Sequence, residues 1–104
     1  MHPSVDMIDT SKEIKLFADL PGFKEEEIQI RCEGANLRIT AERRAETERG
    51  NDVLIQERPL KAERTISIPV SVDHDDSTAT YEDGVCRITL PKREAQQYTE
   101  ISFS

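Results

Sequence analysis

The sequence contains no tryptophan, and aromatic residues make up only 5% of its 104 residues. Its hydrophobic share of 36% allows one domain with a modest core rather than a deep one. No apolar run approaches the roughly 20 residues of a membrane-spanning helix, and no charged-then-apolar leader precedes the domain. We therefore expect a cytoplasmic, soluble protein that completes its apolar burial against another chain.

Positive charge is also in short supply. The chain carries 14 Lys and Arg against 21 Asp and Glu, for a net charge of -7, and the two signs are interspersed along its length. Phosphate contacts need clustered Lys and Arg, so neither nucleic acid nor an anionic membrane surface is expected as a partner. The acidity is better explained as a source of solubility.

Cysteine is nearly absent as well. Cys32 and Cys86 stand far apart without a CxxC spacing, so the sequence signals neither a zinc site nor a disulfide framework. We expect both to be small buried hydrophobic residues in a reducing compartment.

Every familiar catalytic arrangement is missing from the pattern. His2 lies at the start of the chain, and His74 stands in the acidic stretch "VDHDDS" without a nucleophile and an orienting group in view. That stretch lacks the glycine and the distant glutamate of an EF-hand loop, so we interpret it as a solvated acidic turn. No G-x-x-x-x-G-K phosphate loop is present. The sequence therefore predicts no enzyme, no metal site and no cofactor.

What the chain does contain is an apolar pattern with a period of two. Such alternation is typical of strands with one face on a core and one in water, and only "FKEEEI" suggests a helical turn. The pattern predicts an all-β fold of about seven short strands, an immunoglobulin-like antiparallel β-sandwich. The alternating residues are Val5 and Met7; Ile14, Leu16 and Ala18; Ile28, Ile30 and Cys32; Leu37, Ile39 and Ala41; Val53 and Ile55; Ile66 and Ile68; Cys86, Ile88 and Leu90.

Two segments stand outside this regular pattern. The charged loop "RRAETERGND" is longer than a hairpin needs and leads into a short apolar strand, Val53, Leu54 and Ile55. We call this loop and its short strand the arm. The strand pairs either with its own domain or with a neighbouring subunit. At the end of the chain, Ile101 and Phe103 follow the polar run "KREAQQYTE", and they form either a last strand edge or a pair buried elsewhere. We predict a short arm over residues 1–4, a domain over 5–92 and a tail over 93–104.

Four ordered stretches resemble the alpha-crystallin domain of the small heat-shock proteins. "ATYEDGVCRITLP" is similar to that family's A-x-x-x-N/D-G-V-L-x-I-x-L-P signature, and Asp83-Gly84 supplies a tight turn within it. "ADLPGFKEEEIQI", "LIQERP" and "RTISIP" resemble its other conserved segments. Cys86 stands where the family usually has Leu, and Ala62 where Phe is common. The resemblance covers nearly the whole chain.

The resemblance implies roles for particular residues. It implies a sandwich-edge groove with Ile28, Ile30 and Cys32 as its apolar wall and Thr78 and Thr80 opposite, although the first three are also interpretable as ordinary core residues. It further implies a homodimer formed by exchange of the arm, with larger oligomers left open. The dimer interface would contain Val53, Leu54, Ile55, Glu57 and Arg64, with Arg64 paired to the partner's Glu57 or, alternatively, forming a weak surface pair. Ile101 and Phe103 would anchor the tail in the groove of another dimer.

The function that the resemblance implies is that of an ATP-independent holdase for partly unfolded client proteins. Two alternatives stay open. A co-chaperone adaptor of the CS-domain type shares the sandwich, but usually as a monomer with Trp-containing strands. A structural assembly subunit would use the same grooves to build shells without binding clients.

Overall fold

The computed structural model describes residues 1–44, 52–93 and 102–103. Within these ranges there is no α-helix, and one turn of 3-10 helix, Glu25–Glu27, forms where "FKEEEI" predicts a helical turn. The seven strands are β1 (Val5–Asp9), β2 (Glu13–Asp19), β3 (Ile28–Glu33), β4 (Asn36–Glu42), β5 (Lys61–Ser67), β6 (Thr78–Glu82) and β7 (Val85–Pro91).

The strands form two antiparallel sheets. One has the order β1-β2-β7-β6 and the other β3-β4-β5, so β1 and β6 are the edges of the first sheet and β3 and β5 those of the second. Alternate residues of the inner strands point into one shared core, which confirms the predicted all-β sandwich. Among the buried core residues are Ile14, Leu16 and Ala18 of β2, Leu37, Ile39 and Ala41 of β4, and Cys86, Ile88 and Leu90 of β7.

Tight turns set the register of the hairpins. Asp83 and Gly84 join β6 to β7 with φ angles of 54° and 77°, the left-handed region at both positions that a two-residue hairpin turn of type I′ requires. The β1–β2 hairpin is fixed instead by Thr10, whose Oγ1 accepts a hydrogen bond from the Glu13 N–H at 3.0 Å.

The first four residues connect the two sheets along one side of the sandwich. The Met1 carbonyl accepts a hydrogen bond from the N–H of Glu63 on β5 at 3.1 Å, and the Ser4 carbonyl accepts one from Asp19 on β2 at 3.0 Å. Pro3, between them, is fully buried. Residues 1–4 therefore cross from the edge of β5 to the start of β1.

One predicted strand is not formed within the single chain. Residues 53–55 make no strand pairing there, and Val53, Leu54 and Ile55 are 45%, 92% and 74% exposed. A strand needs a neighbour to satisfy its backbone groups, and the described residues of the same sandwich provide none for this segment.

Candidate functional site

The edge strand β3 presents an apolar wall on the inner side of its sheet. Antiparallel partners share a face, and the partners of Ile28, Ile30 and Cys32 on β4 are all buried core residues: Ala41, Ile39 and Leu37. Ile28 and Ile30 are partly buried against the core, while Cys32 is exposed. Part of the wall, Ile28 and Ile30, therefore packs against the core, and part of it, Cys32, is open to solvent.

The register of edge strand β6 corrects one sequence-based prediction. Thr78 and Thr80 pair with Thr89 and Arg87, which places both threonines on the outer face of the sheet, away from the core. The inner face of β6 instead carries Ala79 and Tyr81, whose partners on β7 are the buried Ile88 and Cys86. The expectation that Thr78 and Thr80 line the groove opposite β3 is wrong because the two-residue turn sets the opposite alternation.

Tyr81 joins β6 to the loop that leads into β3. Its hydroxyl lies 2.5 Å from the Leu20 carbonyl oxygen and 2.8 Å from that of Phe23, and its single proton is shared between these two acceptors. Burial raises the pKa of the Tyr81 hydroxyl above its ordinary value, so it remains a protonated donor. Tyr81 thus ties β6 to the loop between β2 and β3, a role that sequence reasoning missed.

The edge strands β3 and β6 also carry backbone groups that pair with no strand in the described ranges. In an antiparallel hairpin, alternate residues bond to the partner strand and the others point to the open edge. Counting from the two-residue turns, Ile28, Ile30 and Cys32 of β3 and Ala79 and Tyr81 of β6 direct their N–H and C=O groups outward. An extended peptide could therefore add to either edge by backbone pairing.

The two cysteines differ in environment. Cys86 is buried as predicted, and burial raises the pKa of its thiol, which keeps it neutral and unreactive. Cys32 is exposed, so the prediction that it is buried is wrong, because no strand of the described ranges lies beyond β3. Cys32 also borders a cavity of about 310 Å³ whose lining includes Ile68, Val70 and Val72.

The opposite side of the sandwich has a second open edge, at β1. The hydrogen bonds of Ser4 and Thr10 to β2 set the alternation, so the backbone groups of Val5, Met7 and Asp9 point away from the sheet. Met7 faces the inner side yet is 44% exposed. Among the residues that the structure describes, no strand pairs with this edge.

Arg64 lies on β5, at the same side of the sandwich. It pairs with the buried Ile39, so its side chain points inward, where its Nη1 donates a hydrogen bond to the Pro3 carbonyl at 3.0 Å. Glu57, its expected partner from another subunit, is exposed in the single chain. The inter-subunit pair stays a prediction.

The predicted tail anchor is described only in part. Ile101 lies outside the described residues, and Phe103 is fully exposed.

A further residue that sequence reasoning missed stands where the arm begins. Arg43 follows β4 and is the one charged residue that is buried in the described part of the chain. Its side chain contacts the returning end of the arm at Arg58 and Pro59. The run of charges around it gave no signal that this residue would differ from its neighbours.

Known proteins are similar to this chain in both sequence and fold. Residues 6–103 match the model of the Hsp20/alpha crystallin family. The chain belongs to this family. The general role of its members is that of ATP-independent chaperones, which form oligomers and bind unfolded clients. This general role agrees with the holdase function, the first of the three functions named in the sequence analysis.

Individual relatives agree with the family match. The chain is 32% identical over 101 residues to heat shock protein 16 of Schizosaccharomyces pombe, covering 93% of this chain and 71% of that protein. A Del-C4 mutant of hsp14.1 from Sulfolobus solfatataricus P2 superposes with a TM-score of 0.76 at 35% identity, covering 88% of this chain and 76% of the other. A small heat-shock protein from Xylella fastidiosa, described as having a distinct high order structure, gives 0.73 at 31% identity, covering 98% and 95%.

The acidic side chains of the described ranges do not gather into a metal site. No group of three or more His, Cys, Asp or Glu side chains there is arranged to hold a metal ion. In the acidic loop, the Asp73 carboxylate accepts hydrogen bonds from the N–H groups of Asp75 and Asp76 at 3.1 and 3.4 Å, so it serves the turn itself. No helix in these ranges is long and apolar enough to cross a membrane.

Proposed function

We propose that this chain is a cytoplasmic holdase that binds partly unfolded clients along the groove between the β3 and β6 edges, without catalysis or a cofactor. The observation that carries the proposal is the β3 wall, where Ile28 and Ile30 are half-buried and Cys32 is exposed. Apolar side chains and outward backbone groups on one edge suit an extended, unfolded peptide. Such binding needs no nucleotide, because the free energy comes from apolar burial and backbone pairing.

The working unit in this proposal is a homodimer formed by exchange of the arm. Three observations support it: the apolar residues of the arm are exposed, the β1 edge has an open strand position, and Arg64 points inward beside that edge. The segment containing Val53, Leu54 and Ile55 pairs with β1 of the partner, and Glu57 of the arm meets the partner's Arg64.

The tail is proposed to join dimers into larger oligomers. In this scheme residues 1–4 form a short N-terminal arm, which is separate from the exchanged arm. Residues 5–92 form the domain and residues 93–104 form a tether. Ile101 and Phe103 of the tether dock in the groove of another dimer. Phe103 is fully exposed, which leaves its side chain available. Docking and client binding would then compete for the same groove.

The test is a light-scattering assay with a heat-labile client and no nucleotide. We expect the wild-type protein to suppress aggregation, and Cys32→Glu, which puts a charge in the groove, to lose most of this effect. Gln29→Glu adds the same charge to the outer face of the same strand and is the matched control. Equal suppression by both variants excludes the groove as the client site. A wild-type protein that assembles but suppresses nothing supports the structural-subunit alternative.

A further inference from the structure

Arg43 is a buried cation at the root of the arm. It is 9% exposed, whereas Arg44, the next residue, is exposed. An arginine is rarely buried unless its donors are satisfied, because removing the charge from water is costly. Its partners therefore indicate what the position is for.

Those partners are three consecutive carbonyls on the returning end of the arm. The Arg43 backbone N–H donates to the Leu60 carbonyl at 2.9 Å, Nε donates to Pro59 at 2.8 Å, and Nη2 donates to Arg58 at 2.9 Å. The last strand pair of β4 and β5 is Glu42 with Lys61, so the backbone bond extends the ladder by one step. Beyond that step the carbonyls of Pro59 and Arg58 accept hydrogen bonds from the Arg43 guanidinium instead of from a strand backbone.

The hydrogen bonds of Arg43 fix the place where the arm rejoins the sandwich, directly before β5. Pro59 locks its own φ angle and biases Arg58 towards extended backbone, and the three hydrogen bonds hold residues 58–60 beside the end of β4. Only residues 56 and 57 separate Ile55 from this clamped stretch. At about 3.3–3.6 Å per residue, so short a link restricts where the apolar segment can lie.

We infer that Arg43 is a positioning residue for arm exchange: it holds residues 58–60 against β4 so that Val53, Leu54 and Ile55 project towards a second copy of the chain. This inference rests on the proposed strand-exchanged dimer. It assigns Arg43 no contact with the partner, so its effect on dimerisation is indirect. The exposure of the three apolar residues in the single chain agrees with this projection.

The experiment compares Arg43→Met, Arg43→Lys and the wild type. Methionine keeps most of the buried stem and removes both side-chain donors but not the backbone N–H, while lysine keeps the charge but cannot reproduce the planar fork. We expect Arg43→Met to raise the dimer dissociation constant roughly tenfold or more, with Arg43→Lys between it and the wild type. Arg31→Met, at an exposed position on the outer face of the same sheet, is the control for loss of one charge and leaves the constant unchanged.

Sedimentation equilibrium measures the dissociation constant, and amide hydrogen exchange in β2 and β7 reports on the core. Weakened dimers with unchanged core protection support the positioning role. If core protection falls in parallel with dimerisation, Arg43 is a general structural anchor and the inference is overturned. It is also overturned if the wild type is a dimer and Arg43→Met dimerises equally well. A monomeric wild type contradicts the strand-exchanged dimer itself, and the inference falls with it.

Discussion

At the scale of single residues, Arg64 links the folded sandwich to the proposed dimer. An inward-pointing charge on an edge strand discourages further pairing of that edge. A guanidinium has five N–H donors, so the bond to the Pro3 carbonyl leaves capacity for a carboxylate from another chain. Arg64 is only partly exposed, which makes a charge pair there stronger than one on the open surface.

We predict that Arg64→Ala weakens dimerisation by about 1.5–3 kcal/mol, the usual range for a hydrogen bond to a charged group. Part of this loss comes from the bond to Pro3 within the chain, so a double-mutant cycle is needed. The charge-swapped pair Arg64→Glu with Glu57→Arg should dimerise more tightly than Arg64→Glu alone, as measured by sedimentation equilibrium. If the second substitution recovers nothing, Arg64 does not meet Glu57.

The residues of the groove show what the sequence could and could not predict. Ile28, Ile30 and Cys32 were predicted on one apolar face, and the register with β4 confirms it. The prediction that Thr78 and Thr80 stand opposite the apolar wall is wrong, because counting back from the Asp83-Gly84 turn assigns the inner face to Tyr81 and Ala79. The exposure of Cys32 was not predictable from alternation, because alternation gives the face of a residue and not whether a further strand covers it.

At the scale of elements, the open edge of β1 is the feature on which strand exchange depends. Exposed edges are positions where another chain can pair, and natural proteins usually protect them. Here the inner side chain of Met7 is left partly uncovered next to outward backbone groups. One added strand would cover both.

We predict that Met7→Pro prevents dimerisation without unfolding the domain. Proline removes an N–H that points to the open edge, and proline is tolerated on an edge strand when that N–H faces solvent. Sedimentation should show a monomer, and the thermal midpoint should stay close to that of Met7→Ala. Ile8→Pro is the contrasting variant, because the N–H of Ile8 points towards β2, and its thermal midpoint should fall clearly. A dimeric Met7→Pro protein would mean that β1 does not receive the arm.

The arm marks the limit of prediction from a single chain. The sequence shows the length of the arm and its apolar end. It also indicates that the apolar strand pairs either within its own domain or with a neighbouring subunit, but it does not decide between the two. The strand itself is not formed in the isolated subunit because its pairing groups lie on another molecule in the proposed dimer. The burial of Arg43 was hidden for a related reason: it depends on carbonyls of residues 58 and 59, which are distant in sequence.

At the scale of the whole molecule, a modest core and several open edges fit a protein that acts as an assembly. The family forms oligomers, and one solved relative is described as having a distinct high order structure. Weak contacts repeated between many subunits hold an assembly by avidity while single contacts still open. Such exchange would let the grooves alternate between tails and clients.

We predict that replacing Ile101 and Phe103 by Ser removes species larger than the dimer and leaves the dimer and its thermal midpoint unchanged. Burying each of these side chains contributes roughly 1.5–3 kcal/mol before the cost of ordering the tail is subtracted, so a single docked tail is weak. Light scattering coupled to size-exclusion chromatography measures the masses. Replacing Ser102 and Ser104 by Thr is the control and should not change them. Persistence of the larger species, or unfolding of the dimer, would exclude the tail as an anchor between dimers.

The most direct test of the exchanged arm is the solution mass of a protein that lacks it. Residues 46–56 are deleted, the gap is closed with Gly-Ser, and the mass is measured by sedimentation over a range of concentrations beside the wild type. Strand exchange predicts that the wild type is at least a dimer at every concentration above its dissociation constant, and that the shortened protein is a folded monomer with the same β-sheet circular dichroism. A shortened protein that is folded and still dimeric contradicts the exchanged arm, because the two sandwiches would then associate through another surface.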